Sequence, residues 1–171
     1  DTHILALRAL GAEVEYDRGF MFNANGLHGA DILLDEASVT ATENAIMAAV
    51  RAKGETVLRN AASEPHVQDL CHFLNGLGAQ IEEIGSNTLR IQGVPKLHGG
   101  EFTIGPDYLE VMSYVGAAAV THGAVRVKNA GVKNLKMIAH IFERMGVRWQ
   151  VEGDDLIVPA DQEMKVIPDL D

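Results

Sequence analysis

Apolar and polar positions between residues 30 and 99 alternate in a way that predicts six elements of secondary structure. Thr40-Ala41-Thr42-Glu43 has the pattern of a capping box that opens a helix, and Gly54 is expected to end that helix. Pro65 falls in the first turn of a second helix, where its missing N–H costs nothing. The hairpin that follows is expected to turn at Gly85-Ser86-Asn87, with positive φ angles at the glycine and the asparagine. The predicted βαβαββ elements are a strand at 31–34, a helix at 40–53, a strand at 55–59, a helix at 63–78 and strands at 80–84 and 88–92.

This order of elements recurs along the chain. Leu10-Gly11-Ala12 returns as Leu77-Gly78-Ala79 and again, at nearly the same spacing, as Met145-Gly146-Val147. A recurrence with a period of about 68 residues indicates repeats of one structural unit. We therefore divide the chain into the end of one repeat at 1–29, which opens with a helix at 3–10, and two full repeats at 30–99 and 100–161. The last repeat predicts a strand at 101–104, a helix at 107–121, a strand at 125–128, a helix at 134–145 and a hairpin that turns at 153–154.

The two helices of each repeat differ in character. The first helix is apolar nearly all round, at 45–50 in one copy and at 111–120 in the other, which indicates a helix surrounded by other elements. The second helix, at 64–77 and at 134–145, is amphipathic and should show one face to water. The expected fold is therefore α/β, of the α+β type. Its expected architecture is an inside-out barrel in which βαβαββ repeats surround buried helices.

Composition and charge narrow the function classes. The chain of 171 residues is 47% hydrophobic and 22% charged, which is typical of a globular domain and not of a disordered chain. Asp and Glu number 24 against 14 Lys and Arg, and the net charge of -10 disfavours binding to nucleic acid or to an acidic membrane surface. No apolar run approaches the roughly 20 residues of a membrane span and no leader pattern opens the chain, so a cytoplasmic location is expected. Because Asp1 is not a methionine, the chain is expected to be cut from a longer protein.

Thiol and metal chemistry have little support in the sequence. Cys71 is the single cysteine, and its surroundings favour a thiol packed on an apolar helix. The seven histidines are scattered without the spacing of a ligand set, so neither a metal nor another cofactor is expected. His28 and His98 recur as loop residues of the repeat, which explains them by architecture.

Five ordered stretches of sequence carry a family resemblance. They are LDEASVTATENAIMAA at 34–49, RNAASEPHVQD at 59–69, LGAQI at 77–81, TLRIQGV at 88–94 and LHGG at 97–100. These stretches resemble the enolpyruvyl transferases, and in particular the branch that acts on UDP-N-acetylglucosamine. The resemblance implies part of a transferase that moves the enolpyruvyl group of phosphoenolpyruvate to the 3-hydroxyl of UDP-N-acetylglucosamine, the first committed step of peptidoglycan synthesis.

The resemblance also implies which part of such an enzyme the chain represents. Residues 1–161 correspond to most of the first of two domains, and residues 162–171 form a tail that leads to the second. A lysine–asparagine pair, a loop that usually carries a catalytic cysteine, and a catalytic aspartate are then expected elsewhere, so that the chain alone should be inactive. The expected partners are the two small-molecule substrates. The incomplete first repeat is expected to expose apolar surface, which leaves self-association of the chain open.

Candidate substrate-binding residues follow from the same resemblance. Asp1 and Thr2 match the end of a uridine-binding segment, and Glu36-Ala37-Ser38-Val39 match a second segment that holds the uridine diphosphate. Independently of the family, the free amides at a helix N-terminus favour an anion such as a diphosphate, although Ser38 would also serve as a simple cap. Within the chain, Glu64 and Asp107 are the two candidates for a catalytic role.

Three departures from the family pattern bear on this expectation. The family commonly has Gly where Thr40 stands, Lys or Pro near Glu36, and Arg where Tyr108 stands. Because a carboxylate would repel a diphosphate, Glu36 is expected to point to solvent or to meet the sugar.

Two alternative functions stay open. One is 3-phosphoshikimate 1-carboxyvinyltransferase, which typically has Ser-Ser-Gln where this chain has Ser38-Val39-Thr40, and the other is a non-catalytic relative that binds a nucleotide sugar.

Overall fold

A computed structural model describes residues 1–167 of the protein. The last four residues of the predicted 162–171 tail therefore lie outside the described residues. The chain divides into two compact units, Asp1–Thr103 and Ile104–Asp171, which we take in turn.

The first unit holds nine elements. Its second half has the predicted order βαβαββ, and its first half has the order αββ. The elements are α1 (Thr2–Ala9), β1 (Glu13–Tyr16), β2 (Phe20–Asn23), β3 (Asp31–Leu33), α2 (Val39–Ala49), β4 (Glu55–Arg59), α3 (Pro65–Gly76), β5 (Gln80–Glu82) and β6 (Thr88–Gln92).

Two sheets order the strands of the first unit. One is the β1–β2 hairpin, and the other has the order β3-β4-β6-β5. Strand β4 lies inside the larger sheet, parallel to β3 and antiparallel to β6. Alternation along β4 buries Thr56 and Leu58 and exposes Glu55 and Arg59. On the exposed face, Arg59 donates two hydrogen bonds to Asp31, at 2.8 and 2.9 Å, which hold the pKa of that carboxyl below its usual value.

The core of the first unit forms where its helices pack on the sheet. Small and branched residues of α2, namely Ala45, Ile46 and Ala49, are buried together with Leu58 of β4 and Ile91 of β6. Helices α1 and α3 and Leu10, which follows α1, add to the same cluster; the helix residues are Ala6, Val67, Cys71 and Leu74.

The second unit has the order αβαββ. A short 3-10 turn, Val132–Asn134, precedes its second helix. Its three strands form a sheet of order β7-β9-β8, with both pairs antiparallel. The elements are α4 (Tyr108–Val120), β7 (Val125–Val127), α5 (Lys136–Arg144), β8 (Gln150–Glu152) and β9 (Asp155–Val158).

The predicted bounds of the first apolar helix were wrong at both ends. Helix α2 begins after Ser38, whose hydroxyl accepts a hydrogen bond from the Ala41 amide at 3.4 Å, so Ser38 and not Thr40 is the cap. Both hydroxyls fit a capping pattern, and the earlier one takes the position. The helix ends at Ala49 and not at Lys53, because the Lys53 amide donates to a carbonyl of the loop before β3.

The turn between β5 and β6 lies where it was predicted, but the prediction of which residues have positive φ angles was partly wrong. Positive φ angles occur at Glu83 (61°) and Gly85 (90°), and not at Asn87. The Asn87 carbonyl instead accepts a hydrogen bond at 2.9 Å from Ala61, in the loop after β4. That tertiary contact, which no local pattern shows, replaces the left-handed turn expected at the asparagine.

The strand predicted at 101–104 is absent from the structure, where these residues have no regular secondary structure. The segment contains the boundary between the two units and leads directly into Gly105-Pro106. Glycine and proline both weaken strand formation, so the repeat pattern alone does not suffice to form a strand here.

Neither apolar helix is buried on every side. In α4, Val111, Val115 and Ala119 are buried, whereas Leu109 and Tyr114 are 54% and 55% exposed. In α2, Met47 is 46% exposed. Residues 1–167 alone therefore do not enclose either helix on every side. The amphipathic character of the second helices is confirmed, because their charged residues lie at the surface, as with His72 in α3 and Glu143 in α5.

The close approach at Gly93 gives a stability test. A Cβ at Gly93 would overlap the carbonyl oxygen of Ala52. We expect Gly93→Ala to lower the free energy of unfolding by about 2 kcal/mol or more, because the backbone of one segment must move. Gly99→Ala is the matched control, since a methyl there meets no described atom within 4 Å. Urea unfolding of both variants measures the difference, and equal midpoints would contradict this account of the packing.

Candidate functional site

Two loops meet at the carboxyl ends of the parallel strands β3 and β4. The Leu34 amide donates to the Arg59 carbonyl at 3.1 Å, and Asn60 Nδ2 donates to the Leu34 carbonyl at 3.0 Å. The first loop enters α2 and the second enters α3, so both helices begin at this edge of the sheet. In open α/β sheets, the edge at the carboxyl ends of the strands is where ligands bind. We call these two loops, with the first turns of α1 and α2, the carboxyl-edge cluster.

The N-terminus of α2 supplies amide donors to this cluster. Ser38 is half-buried, and its carbonyl and hydroxyl oxygens accept from Thr42 and Ala41 respectively. Val39 and Thr40 occupy the first two helical positions, where the helix offers their N–H groups no partner of its own. The structure thus gives the Ser38 hydroxyl a capping role and leaves the amides of Val39 and Thr40 directed out of the helix end.

A buried threonine joins the first predicted substrate segment to the second. Thr2 is only 3% exposed, and its Oγ1 lies 2.6 Å from Asp35 Oδ1 and 3.2 Å from Glu36 Oε1. Because a hydroxyl has one proton, it donates to the nearer carboxylate. Asp1, Glu36 and Ala37 are exposed beside this contact. The structure therefore brings together two segments that lie far apart in the sequence.

His3 is a member of the cluster that sequence reasoning missed. Its Nδ1 lies 2.7 Å from Asn44 Nδ2, and its Nε2 lies 3.3 Å from Thr40 Oγ1. Thr40 is one of the departures from the family pattern, and its hydroxyl contacts the imidazole across the space between α1 and α2. The position of His3 next to Thr2 was the available signal, but both partners lie on a different helix, distant in the chain.

Glu64 stands at the start of α3, on the same edge. The Ala62 amide donates to Thr42 Oγ1 at 3.0 Å, which ties the Glu64 loop to the first turns of α2. Glu64 is half-buried, and its Oε2 is buried without a hydrogen-bond partner among the described residues. A buried acceptor without a donor is rare and calls for an explanation such as a ligand group or an ordered water.

Asp107 belongs to the second unit, where its local role is clear. It is the N-cap of α4, and its Oδ1 accepts from the Leu109 amide at 2.9 Å and from the Glu110 amide at 3.2 Å. Tyr108, at the position where the family usually has Arg, packs against the core of this unit. The structure gives Asp107 a capping role, and its catalytic role stays a prediction.

Electrostatics at the carboxyl-edge cluster are mixed. The positive end of the α2 dipole favours an anion, while the carboxylates of Asp35 and Glu36 oppose one. In residues 1–167, no three His, Cys, Asp or Glu side chains come together as metal ligands would. The same described part of the chain holds no helix that is long and apolar enough to cross a membrane.

Comparisons with known proteins place the chain in a family. A profile of the family described as EPSP synthase (3-phosphoshikimate 1-carboxyvinyltransferase) matches residues 1–169. The chain belongs to the EPSP synthase family. Within this family, it is 54% identical over 99% of its length to UDP-N-acetylglucosamine 1-carboxyvinyltransferase of Treponema denticola and 55% identical over 99% to that of Bradyrhizobium diazoefficiens. The chain spans 40% and 39% of those two proteins.

Solved structures agree with the family assignment. The enolpyruvyl transferase NikO from Streptomyces tendae superposes with a TM-score of 0.81 at 26% identity, over 93% of this chain and 42% of that one. EPSP synthase from Acinetobacter baumannii superposes with a TM-score of 0.66 at 21% identity, over 97% of this chain and 40% of that one, which shows the fold alone. The mixed helix and strand content expected from the sequence is thus confirmed as the fold of this family.

Thr2 provides a test of the link between the two segments. We expect Thr2→Val to lower the free energy of unfolding of the chain by about 1–3 kcal/mol, because the Asp35 carboxylate loses its donor in a poorly solvated place. Thr2→Ser keeps the hydroxyl and should retain most of the stability. Urea unfolding compares the free energies of unfolding of the two variants. A Thr2→Val protein as stable as the wild type would show that this hydrogen bond does not contribute to stability.

Cys71 gives a test of a residue that the site does not use. It is fully buried, as the sequence predicts, and burial raises the pKa of its thiol to about 11. At pH 8 only about one thiol in 1,000 is then ionised, and the thiolate is the reactive form. We expect a thiol reagent such as DTNB to react slowly with the native chain at pH 8 and rapidly once concentrated urea has unfolded it. Fast reaction of the native chain would mean that Cys71 is accessible.

Proposed function

We propose that the whole protein to which this chain belongs transfers the enolpyruvyl group of phosphoenolpyruvate to the 3-hydroxyl of UDP-N-acetylglucosamine, the first committed step of peptidoglycan synthesis. The observation that carries the proposal is the identity of 54% and 55% over nearly the whole chain to proteins named UDP-N-acetylglucosamine 1-carboxyvinyltransferase. The juxtaposition of the two predicted substrate segments at the carboxyl-edge cluster supports it.

In this proposal the N-terminus of α2 holds the diphosphate of the nucleotide sugar. The amides of Val39 and Thr40 donate to phosphate oxygens, and the helix dipole adds a favourable field. Asp1 and Thr2 lie next to the uracil, on the side of the Thr2–Asp35 hydrogen bond that faces away from the diphosphate. The Ser38 hydroxyl keeps the helix end in shape through its bond to Ala41.

In this proposal, Glu36 and Glu64 accept hydrogen bonds from hydroxyl groups of the substrate. Glu36 is exposed and acceptor-only when ionised, so a sugar hydroxyl suits it and a phosphate does not. Glu64 has a buried oxygen that needs a donor, and a substrate hydroxyl would supply one. The phosphate charges of both substrates then need cationic groups from other parts of the whole protein.

The architecture of the complete domain is also part of the proposal. The exposed apolar side chains of α4, among them Leu109, Tyr114 and Val120, support an inside-out barrel in which this helix meets further elements.

One alternative has an observation in its favour. The matching family profile is described as 3-phosphoshikimate 1-carboxyvinyltransferase, the sister activity. Against it stands Ser38-Val39-Thr40, where that enzyme typically has Ser-Ser-Gln. A binding assay with both substrates separates the two activities, and tight binding without turnover in the full-length protein would favour a non-catalytic relative.

The diphosphate site is tested by removing one amide from it. Val39 is the first residue of α2, where proline fits the helix, and Ser38 before it is extended at φ -75° and ψ 125°. Val39→Pro therefore deletes a donor while keeping the fold. Losing one hydrogen bond to a charged group costs roughly 1.5–3 kcal/mol, so calorimetry on the full-length protein should find UDP-N-acetylglucosamine bound about 10-fold to 150-fold more weakly.

Ser38→Ala is the companion variant to Val39→Pro. Because the structure uses its hydroxyl as a cap, the change should reduce stability by about 1 kcal/mol and affinity less than Val39→Pro does. Wild-type affinity in both variants would move the nucleotide away from this helix end.

A further inference from the structure

The imidazole of His3, on α1, contacts two residues of α2, and these contacts determine which ring nitrogen carries the proton. His3 Nδ1 lies 2.7 Å from Asn44 Nδ2, and His3 Nε2 lies 3.3 Å from Thr40 Oγ1. The NH2 group of an asparagine can only donate, so His3 Nδ1 accepts this hydrogen bond and carries no proton. The proton of the neutral imidazole is therefore on Nε2, because the bond made at one ring nitrogen fixes the state of the other.

This tautomer of His3 determines how the Thr40 hydroxyl can be used. Nε2–H donates to Thr40 Oγ1, so the proton of the hydroxyl itself is directed away from the imidazole. The three groups then donate in one direction, from the Asn44 amide to the His3 ring and from the ring to the Thr40 hydroxyl. The Thr40 hydroxyl thus has a proton to donate to an acceptor other than His3.

The Thr40 hydroxyl lies at the helix end to which the proposed function assigns a diphosphate. Thr40 is the second residue of α2, and its side chain is exposed. The amides of Val39 and Thr40, in the same turn, have no acceptor within the helix. One turn of α2 therefore offers two backbone donors and one side-chain donor, and phosphate oxygens can accept from all three.

The neighbouring charges give an uncharged donor a particular value here. The carboxylates of Asp35 and Glu36 precede the same helix end and oppose an anion. Where Glu36 stands the family commonly has Lys or Pro, and where Thr40 stands it commonly has Gly, which has no hydroxyl. The departures at Glu36 and Thr40 therefore act in opposite directions on an anionic ligand, one by adding a repulsive charge and the other by adding a donor.

We propose that Thr40 binds the diphosphate through its hydroxyl as well as its amide, and that His3 is the positioning residue that directs the hydroxyl proton to a phosphate oxygen. Asn44 in turn holds His3 in the required tautomer. This assignment rests on the proposed function, which supplies the nucleotide sugar as the ligand. It needs no contact between His3 and the nucleotide and no change in the charge of the imidazole.

Calorimetry with UDP-N-acetylglucosamine on the full-length protein tests the role of the hydroxyl. Thr40→Val keeps the branched side chain and the backbone amide but has no hydroxyl. We expect its Kd to rise by about 10-fold or more, because a charged acceptor loses a donor. Thr40→Ser is the matched variant that keeps the hydroxyl, and its Kd should stay within about 3-fold of the wild type. Circular dichroism should show both variants folded.

A double-mutant cycle separates positioning by His3 from a purely structural role. We expect His3→Phe to raise the Kd by about 3-fold or more in the wild type and by less than about 2-fold in the Thr40→Val protein, which has no hydroxyl to direct. Nitrogen-15 NMR of the protein without nucleotide gives an independent measurement. It should show the His3 proton on Nε2, and His3→Phe identifies the His3 signals by removing them.

The possible failures of these experiments can be told apart. A wild type that does not bind UDP-N-acetylglucosamine would contradict the proposed function and, with it, the role of the Thr40 hydroxyl. Three results would overturn the roles of Thr40 and His3 alone: normal binding by the wild type with an unchanged Kd for Thr40→Val, a His3 proton on Nδ1, or equal effects of His3→Phe with and without the Thr40 hydroxyl.

Discussion

The position of β4 between β3 and β6 is the constraint on which the candidate site depends. Since β3 and β4 are parallel, the loops that follow them leave the sheet at the same edge, and α2 and α3 both begin there. Leu58, fully buried in β4, holds the strand against the helices on one side, while the Arg59 pair with Asp31 closes the exposed side. A shift of β4 by one residue would turn Leu58 to solvent and separate the two loops.

The carboxyl-edge cluster combines features that oppose one another for an anionic ligand. The free amides of Val39 and Thr40 attract a diphosphate, and the carboxylates next to them repel it. Thr2 reduces this conflict, because its hydroxyl donates a hydrogen bond to the Asp35 carboxylate. The same bond links α1 to the loop that enters α2. The placement of Glu36 next to Thr2, where the family commonly has Lys or Pro, then suits contact with uncharged hydroxyl groups.

Local sequence patterns predicted the elements whose bounds depend on neighbouring residues in the chain. Strand β4 has the predicted bounds, and the helix at Pro65 begins where its proline indicates. The start of α2 was missed because Ser38 and Thr40 both fit a capping pattern, and the local sequence does not choose between them. The strand expected at 101–104 was inferred from the repeat, and the repeat does not specify the partner that a strand requires. Similarly, the segment at Ser38 could be found from its motif, whereas the Thr2 contact and the orphan oxygen of Glu64 exist only in three dimensions.

Repetition within one chain also separates what a sequence motif encodes from what its surroundings supply. The hairpins β1–β2, β5–β6 and β8–β9 all carry large apolar residues on one face of their second strand. The same apolar face, which favours burial, therefore occurs three times in the sequence. Among residues 1–167, Leu89 and Ile91 of β6 and Leu156 and Val158 of β9 belong to the core clusters of their units, whereas Phe20 and Phe22 of β2 belong to neither cluster. The difference between 0% exposure at Ile91 and 49% at Phe22 therefore reflects packing partners that the hairpin pattern does not specify.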